Sequence, residues 1–457
     1  MKSSRTWIPL ILMLLATGAV AKAPPDSGLT RRLDELYETF FQKDGVGCAV
    51  LIAQNGKVLY EKAFGMADLE NSTPASIDSV FRIGSITKQF TAVAILQLQE
   101  QGKLDLSDEI QKYVADFPRH ADRITIGNLL SHTSGIPNLT EIPGLSIKQA
   151  VYTPAELIAL FKDRPLEFRP GSKFSYSNSG YVLLGYVIEK ASGESYADYV
   201  ESHIFNKLGM SNSLYDDPAR IVKHRARGYE LDGNFRLVNA EYLNTTFPYA
   251  AGGLAMTVRD YFTWQQGLKA GRLISAESLR NAVAPFRLND GSLSNYGYGW
   301  GIAKVYGSEA IAHGGRINGF NAKETYLPRE DILVVTFSNG GFVNTDIIND
   351  QAAAIAADKV EFREVEIPAS RRKSMVGTYK FPSDDVTTIS IFEKAGHLFL
   401  KDSNSPTAWK MHFTKDDEFI CYEVFPNTHV FVRNNQGAVE ALLIRNFGNE
   451  VTVKKVE

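Results

Sequence analysis

Phe81-Arg82-Ile83-Gly84-Ser85-Ile86-Thr87-Lys88-Gln89-Phe90 sets a hydroxyl and an amine three residues apart, where a turn gives way to a helix. The run that follows, Thr91-Ala92-Val93-Ala94-Ile95-Leu96, is apolar round most of its circumference, the pattern of a buried helix. Positions i and i+3 share a helix face, so Ser85 and Lys88 can touch. A helix start offers unpaired N–H groups and a positive dipole end, which favour negative charge on the serine oxygen. A serine hydroxyl becomes a nucleophile only when a neighbouring base takes its proton. A lysine whose charge is costly to bury can be that base, because desolvation lowers its pKa. Alone, the pair is a weak signal. An N-cap serine beside a solvated lysine has the same spacing, so the reading depends on the rest of the chain.

With 457 residues, 44% hydrophobic and 22% charged, the chain has room for two or three domains and a large core. A net charge of −3 and no long basic run argue against nucleic acid as a partner. Lys2 and Arg5 precede an uncharged stretch from Trp7 to Ala21 and a small-residue site at Ala19-Val20-Ala21, the plan of an export signal. That stretch contains Pro9, Thr17 and Gly18 and is shorter than the roughly 20 apolar residues of a membrane span. Residues 1–23 are therefore expected to be a signal peptide, with a retained anchor as the alternative. The protein is expected to be periplasmic or secreted, with no stable membrane span. Cys48 and Cys421 are the only cysteines. A disulfide between them is conceivable in an oxidising compartment, though the apolar run around Cys48 suits a small buried residue. The histidines are scattered and H-E-x-x-H is absent, so neither a metal nor another cofactor is expected.

An amphipathic helix is expected from Leu29 to Phe41, then strands from Gly47 to Ala53 and Lys57 to Phe64 around Asn55-Gly56, a hairpin signal. His132, in Leu129-Leu130-Ser131-His132-Thr133-Ser134-Gly135, reads as a structural hydrogen-bonding residue, with a catalytic base as the alternative. Tyr176 and Asn178 lie in the loop Arg169 to Gly180; on an extended backbone they would point the same way. Either they serve a site or they tie the loop down. A helix follows from Tyr181 to Ala191. Sheet character returns at Tyr298 to Ile302, Ala310 to Phe320, Thr325 to Leu327 and Ile332 to Ser338. Gly314 and Gly315 there permit close approach to backbone. A helix spans Asp346 to Lys359, and the charged segment 363–374 reads as a linker. The remainder, 375–457, alternates in short strand-like runs as a small all-β unit.

Ser85-x-x-Lys88, Tyr176-x-Asn178 and His313-Gly314-Gly315, in this order and flanked by LLSHTSGI, YSNSGYVLLGYVIE, AGGLAMTVRD and YGYGWGI, make residues 30 to 360 resemble the serine β-lactamase and penicillin-binding-protein superfamily. The likeness is greatest to its class C-like branch of esterases, D-amino-acid peptidases and carboxypeptidases. The resemblance implies an α/β (α+β) fold: an antiparallel sheet flanked by helices, with a helical subdomain at about residues 70 to 250, all within residues 24–362. It implies that Ser85 is acylated while Lys88 and Tyr176 move its proton. Asn178, His313 and Gly315 would bind substrate, and the backbone N–H groups of Ser85 and Arg316 would form an oxyanion hole. The C-terminal unit resembles, more loosely, the lipocalin-like barrel appended to some of these hydrolases.

Many penicillin-recognising members have Lys-Thr-Gly where this chain has His-Gly-Gly. A permanent cation is thereby replaced by an imidazole mostly neutral at pH 7, and alternation aims Arg316 to the opposite strand face. The expected substrate is therefore a small molecule or peptide with an ester or amide bond, including D-amino-acid peptides. A β-lactamase or D-Ala-D-Ala carboxypeptidase is the alternative. A non-catalytic penicillin- or peptide-binding sensor is the alternative of another class. An α/β-hydrolase is excluded because no G-x-S-x-G occurs. Walls of the pocket are expected at Asn138 to Tyr152 and Phe286 to Asn295; the sequence leaves the oligomeric state open.

Overall fold

The computed structural model describes residues 27–118, 123–142, 149–232, 236–359, 365–382, 387–403, 408–421, 428–446 and 449–456. The expected signal peptide lies outside these residues. No helix among them is long and apolar enough to cross a membrane.

Helix α1 (Ser27–Phe40) leads into strands β1 (Cys48–Gln54) and β2 (Lys57–Phe64). Asn55 and Gly56 between the strands have φ of 50° and 71°, the positive values a tight hairpin turn needs. A helical layer follows, with α2 (Thr87–Glu100) and α3 (Asn178–Ser192), a small hairpin of β3 (Tyr229–Leu231) and β4 (Leu237–Asn239), and α4 (Val258–Lys269). The chain returns to the sheet as β5 (Gly301–Val305), β6 (Ser308–Ile317), β7 (Phe320–Leu327) and β8 (Ile332–Ser338), then packs α5 (Thr345–Ala356) against it.

Among the described residues the main sheet has six strands in the order β5-β6-β7-β8-β1-β2, and every pairing is antiparallel. Both β1 and β8 are buried along almost their whole length, as central strands covered on both faces are. Their alternate residues divide between two cores. Val50, Ile52 and Val334 meet Leu33 and Tyr37 of α1 and Ile348 and Ala352 of α5. Leu51, Val335 and Phe337 belong to the other core, with Phe90 of α2 and Trp264 of α4, whose rings stack at 4.0 Å. Each large apolar side chain taken from water contributes roughly 1.5–3 kcal/mol. Twelve consecutive residues of α2, Thr87 to Leu98, are buried, so the helix that follows Ser85 is fixed on every side.

Two local expectations change. Strand β6 stops at Ile317 and β7 starts at Phe320; between them Asn318-Gly319, with Gly319 at φ 77°, forms a turn inside the stretch Ala310 to Phe320 expected to be strand. The segment 363–374 is not wholly a linker. Residues 363 and 364 lie outside the described ones, but Ala369–Met375 forms a helix, α6. Its charges find partners, Arg371 on Asp416 and Asp417 and Arg372 on Glu393, while Ile367 and Met375 enter an apolar core. That core also holds Tyr379, Leu400, Phe419, Leu442 and Val453. It lies within a nine-stranded all-β sheet whose two edge strands, Trp409–Lys410 and His412–Lys415, are consecutive in the chain. The sheet therefore curls back on itself as a nearly closed barrel. Cys48 and Cys421 are both buried, one in each unit, and no disulfide joins them.

Candidate active site

Ser85 lies in a 3-10 turn, Gly84–Ile86, immediately before α2. The turn presses against β6. A Cβ on Gly315 would stand 1.9 Å from Ile83 O and 3.1 Å from Ser85 N. A Cβ on Gly84, which has φ 49°, would stand 2.9 Å from Arg316 N. Only glycines let the two backbones meet this closely, and the meeting brings the nitrogens of Ser85 and Arg316 to one junction. The pairing of β5 with β6 ends at Gly301↔Ala312, so residues 313–317 present a strand edge on the side of the turn.

Lys88 is fully buried, its Nζ 3.0 Å from Ser85 Oγ, 2.8 Å from Asn178 Oδ1 and 2.8 Å from Ala251 O. Burial drives its pKa well below the ordinary lysine value. A neutral amine has two hydrogens and one lone pair. Asn178 Oδ1 and Ala251 O can only accept, so they take the hydrogens and leave the lone pair for the Ser85 O–H.

Tyr176 has Ser85 as a hydrogen-bond partner, and burial pushes its phenol above the usual range, so it stays protonated. Its ring centroid is 4.8 Å from Lys88 Nζ. His132 grips this tyrosine from both sides. Ser175 N–H donates to His132 O at 2.9 Å, and Ser177 N–H donates to His132 Nδ1 at 3.1 Å. The two rings lie 4.2 Å apart. His132 has φ 56° and a pKa driven well below the usual value, by burial first and then by Lys88 and His313. It holds the loop, as the structural reading expected.

Asn178 is the first residue of α3, three residues earlier than the sequence suggested, and not on extended backbone. The N-cap position is Ser177, and Asn138 Oδ1 accepts from the Asn178 backbone N–H at 3.0 Å. Asn178 Nδ2 also donates to Asn138 Oδ1 and Thr140 Oγ1. Its amide is thus committed to holding Lys88 and the facing loop.

His313 lies on the wall with Ser85, Tyr176 and Gly315, around a cavity of about 430 Å³. Its Nδ1–H donates to Gly314 O at 2.6 Å, and Tyr296 O–H donates to its Nε2 at 2.8 Å. Burial and then Lys88 lower its pKa to about 3. The expected imidazole bond to substrate therefore has no spare nitrogen, because the strand edge turns the ring into the wall. Tyr296 was quoted only within YGYGWGI, and nothing in sequence spacing places it beside His313. Behind the wall Glu324, the register partner of His313, accepts from Gln89 Nε2 at 2.6 Å, and burial pushes its pKa up to about 7.

On the other side of Ser85 opens a cavity of about 380 Å³, lined by Asn178 and Arg316 and by the apolar Leu139, Val182, Leu243, Phe247 and Ile317. The expected wall segment Asn138 to Tyr152 supplies Leu139 and Thr140. The other, Phe286 to Asn295, supplies none. Its Phe286 and Arg287 line a separate cavity near Glu100, and residues 243–252 take their place beside Ser85. Arg316 side-chain exposure and its absence from any ion pair among the described residues leave its guanidinium open to solvent and cavity.

The sequence pattern of the Beta-lactamase family matches residues 29–358. Penicillin-binding protein 4* of Bacillus subtilis (strain 168) is 29% identical over 375 residues, which cover 76% of this chain and 80% of that protein. The octameric penicillin-binding protein homologue from Pyrococcus abyssi superposes with a TM-score of 0.67 at 26% identity, covering 93% of this chain and 99% of that one. The D-stereospecific amidohydrolase from Streptomyces sp. gives a TM-score of 0.62 at 27% identity, covering 72% and 98%. A family pattern that runs from α1 to the end of α5, over the same sheet and helical layer that hold Ser85 against Lys88, makes this chain a member of the Beta-lactamase family of serine hydrolases.

Proposed function

We propose that this protein is exported and cleaves an ester or amide, including D-amino-acid amides and peptides, through an acyl-enzyme on Ser85. The observation that carries the reading is the fully buried Lys88 Nζ 3.0 Å from Ser85 Oγ, where burial favours the neutral amine. Lys88 takes the serine proton as Oγ attacks the carbonyl carbon. The carbonyl oxygen, now negative, is held by the N–H groups of Ser85 and Arg316. Tyr176, a protonated phenol beside both groups, gives its hydrogen to the leaving amine or alcohol and is refilled from Lys88. Water then attacks the acyl carbon as the same groups run in reverse. Asn178 keeps Lys88 in register, Gly315 leaves the strand edge open to the substrate backbone, and neutral His313 with Tyr296 forms the wall.

A β-lactamase or D-Ala-D-Ala carboxypeptidase is the second reading, favoured by the unpaired Arg316 guanidinium on the cavity wall, which suits a carboxylate. The catalytic unit would occupy residues 24–362 after removal of a signal at 1–23, with the β unit following. An activated serine probe should label the protein on Ser85, by mass spectrometry, and leave Ser85→Ala unlabelled. A panel of short-chain esters, D-amino-acid amides and a penicillin then ranks the substrates. An adduct on another residue overturns the mechanism. Labelling without turnover of any member supports the sensor instead.

A further inference from the structure

Among the charged groups near Ser85, one carboxylate has no task in the chemistry above. Glu230 sits on β3 and lines the same 380 Å³ cavity as Ser85. Its strand is pinned to the end of the main sheet: Tyr229 N–H donates to Asn339 O and Gly341 N–H to Tyr229 O, each at 2.9 Å. The carboxylate is aimed by backbone. Gly319 N–H, in the turn between β6 and β7, donates to Glu230 Oε1 at 3.0 Å. Opposite, a Cβ on Gly341 would stand 2.0 Å from Oε1 and 2.8 Å from Oε2, so the side chain fits only because that residue is glycine. No cation among the described residues pairs with Glu230. By contrast Asp346, the carboxylate of the neighbouring cavity, is already held by Lys323 Nζ at 2.7 Å.

We infer that Glu230 is a receptor for a primary ammonium on the acyl side of the substrate, so that the enzyme selects acyl groups carrying a free amine. This rests on the acyl-enzyme reading above. Leu139, Val182, Leu243 and Phe247 make part of the remaining wall apolar, and an ion entering between them would lose water. A carboxylate anchored on one oxygen, with the other open, offers an ammonium a charge-assisted bond at the cost of little reorganisation. The other charged liner, Arg316, belongs to β6 at the Ser85 junction and forms no ion pair with Glu230 among the described residues. Either an α-ammonium or a longer side-chain ammonium has this chemistry, and the cavity has room for an apolar side chain beside it.

The test uses full-length Ser85→Ala protein, which binds without turning over, and calorimetry with three ligands. These are D-phenylalanine amide, its N-acetyl analogue, and Nα-acetyl-D-lysine amide. An ammonium-bearing ligand should bind at least tenfold more tightly than the N-acetyl-D-phenylalanine amide. The better of the two cationic ligands identifies which amine is read. Adding Glu230→Gln, which keeps the acceptor for Gly319 N–H and the size of the side chain, should erase the difference. In otherwise wild-type protein the same change should lower the ratio of kcat/KM for amine-bearing over N-acetylated substrates by at least tenfold, while Ser85 labelling shows the fold intact. Equal binding of cationic and neutral ligands, binding of none of them, or a preference that survives Glu230→Gln each overturns the inference. Failure of the hydrolase reading looks different: Ser85 is then never labelled, whatever the ligand preference.

Discussion

The three hydrogen-bond partners of Lys88 and its burial each have a measurable consequence. Lys88→Ala removes the base and should reduce acylation by ~10²–10⁴, read as the rate of Ser85 labelling; Tyr176→Phe should fall in the same range. The pH dependence follows from the directions of the shifts. Lys88 works as the neutral amine, so kcat/KM should fall as pH drops through its lowered pKa and the ammonium forms. His313, at about 3, stays neutral across pH 5 to 8 and should add no step near the ordinary histidine value. A step near 6.5 that vanishes in His313→Gln would contradict the wall assignment. That Ser85, Lys88 and Tyr176 meet was legible in the sequence because each has local spacing or a flank to mark it. Tyr296 and Glu230 were not, because they reach the site only through strand register and a turn far along the chain.

At the scale of elements, the junction between the Ser85 turn and β6 is the most exacting contact. Gly315→Ala puts a methyl against Ile83 O and must push turn and strand apart. If the Arg316 N–H moves off the reacting oxygen, the loss should be about 10²–10³ in acylation, with a much smaller shift in melting temperature. Unchanged labelling by Gly315→Ala would show that the junction is not the oxyanion site. Elements with strong local signals were read from the sequence: the Asn55-Gly56 hairpin nearly to the residue, and α2 and α5 as helices, with α5 ending at Ala356, three residues before the expected Lys359. The errors fall where tertiary context overrides them. Helix α3 starts at Asn178 because Asn138 caps it from another loop, and α6 forms because Ile367 and Met375 have a barrel core to enter.

For the molecule as a whole, the three large described cores divide cleanly, with two sharing the main sheet and a third confined to the barrel. A chain ended after residue 359 should therefore still be labelled at Ser85, with melting temperature and substrate choice free to change. A folded, unlabelled truncation would mean that the barrel supports the chemistry. The order of the units was readable from the change of period after about residue 375; the start of the barrel was not, because charges that look like a linker are paired in the fold.

The sheet also sets when this chain can fold. Ser338 Oγ donates to Gly47 O across 291 positions, and β1, paired early with β2, finds its second partner only in β8, the last strand of the sheet. Closing so long a loop costs entropy before any contact repays it. A ribosome must therefore release nearly the whole hydrolase unit before the second edge of β1 can be paired, and until then the N-terminal hairpin has one bare edge. A nascent chain held open in this way is in a form that a translocation channel for unfolded polypeptides can accept. Under the proposed export, the strand order that builds the active site would delay it until the chain has crossed.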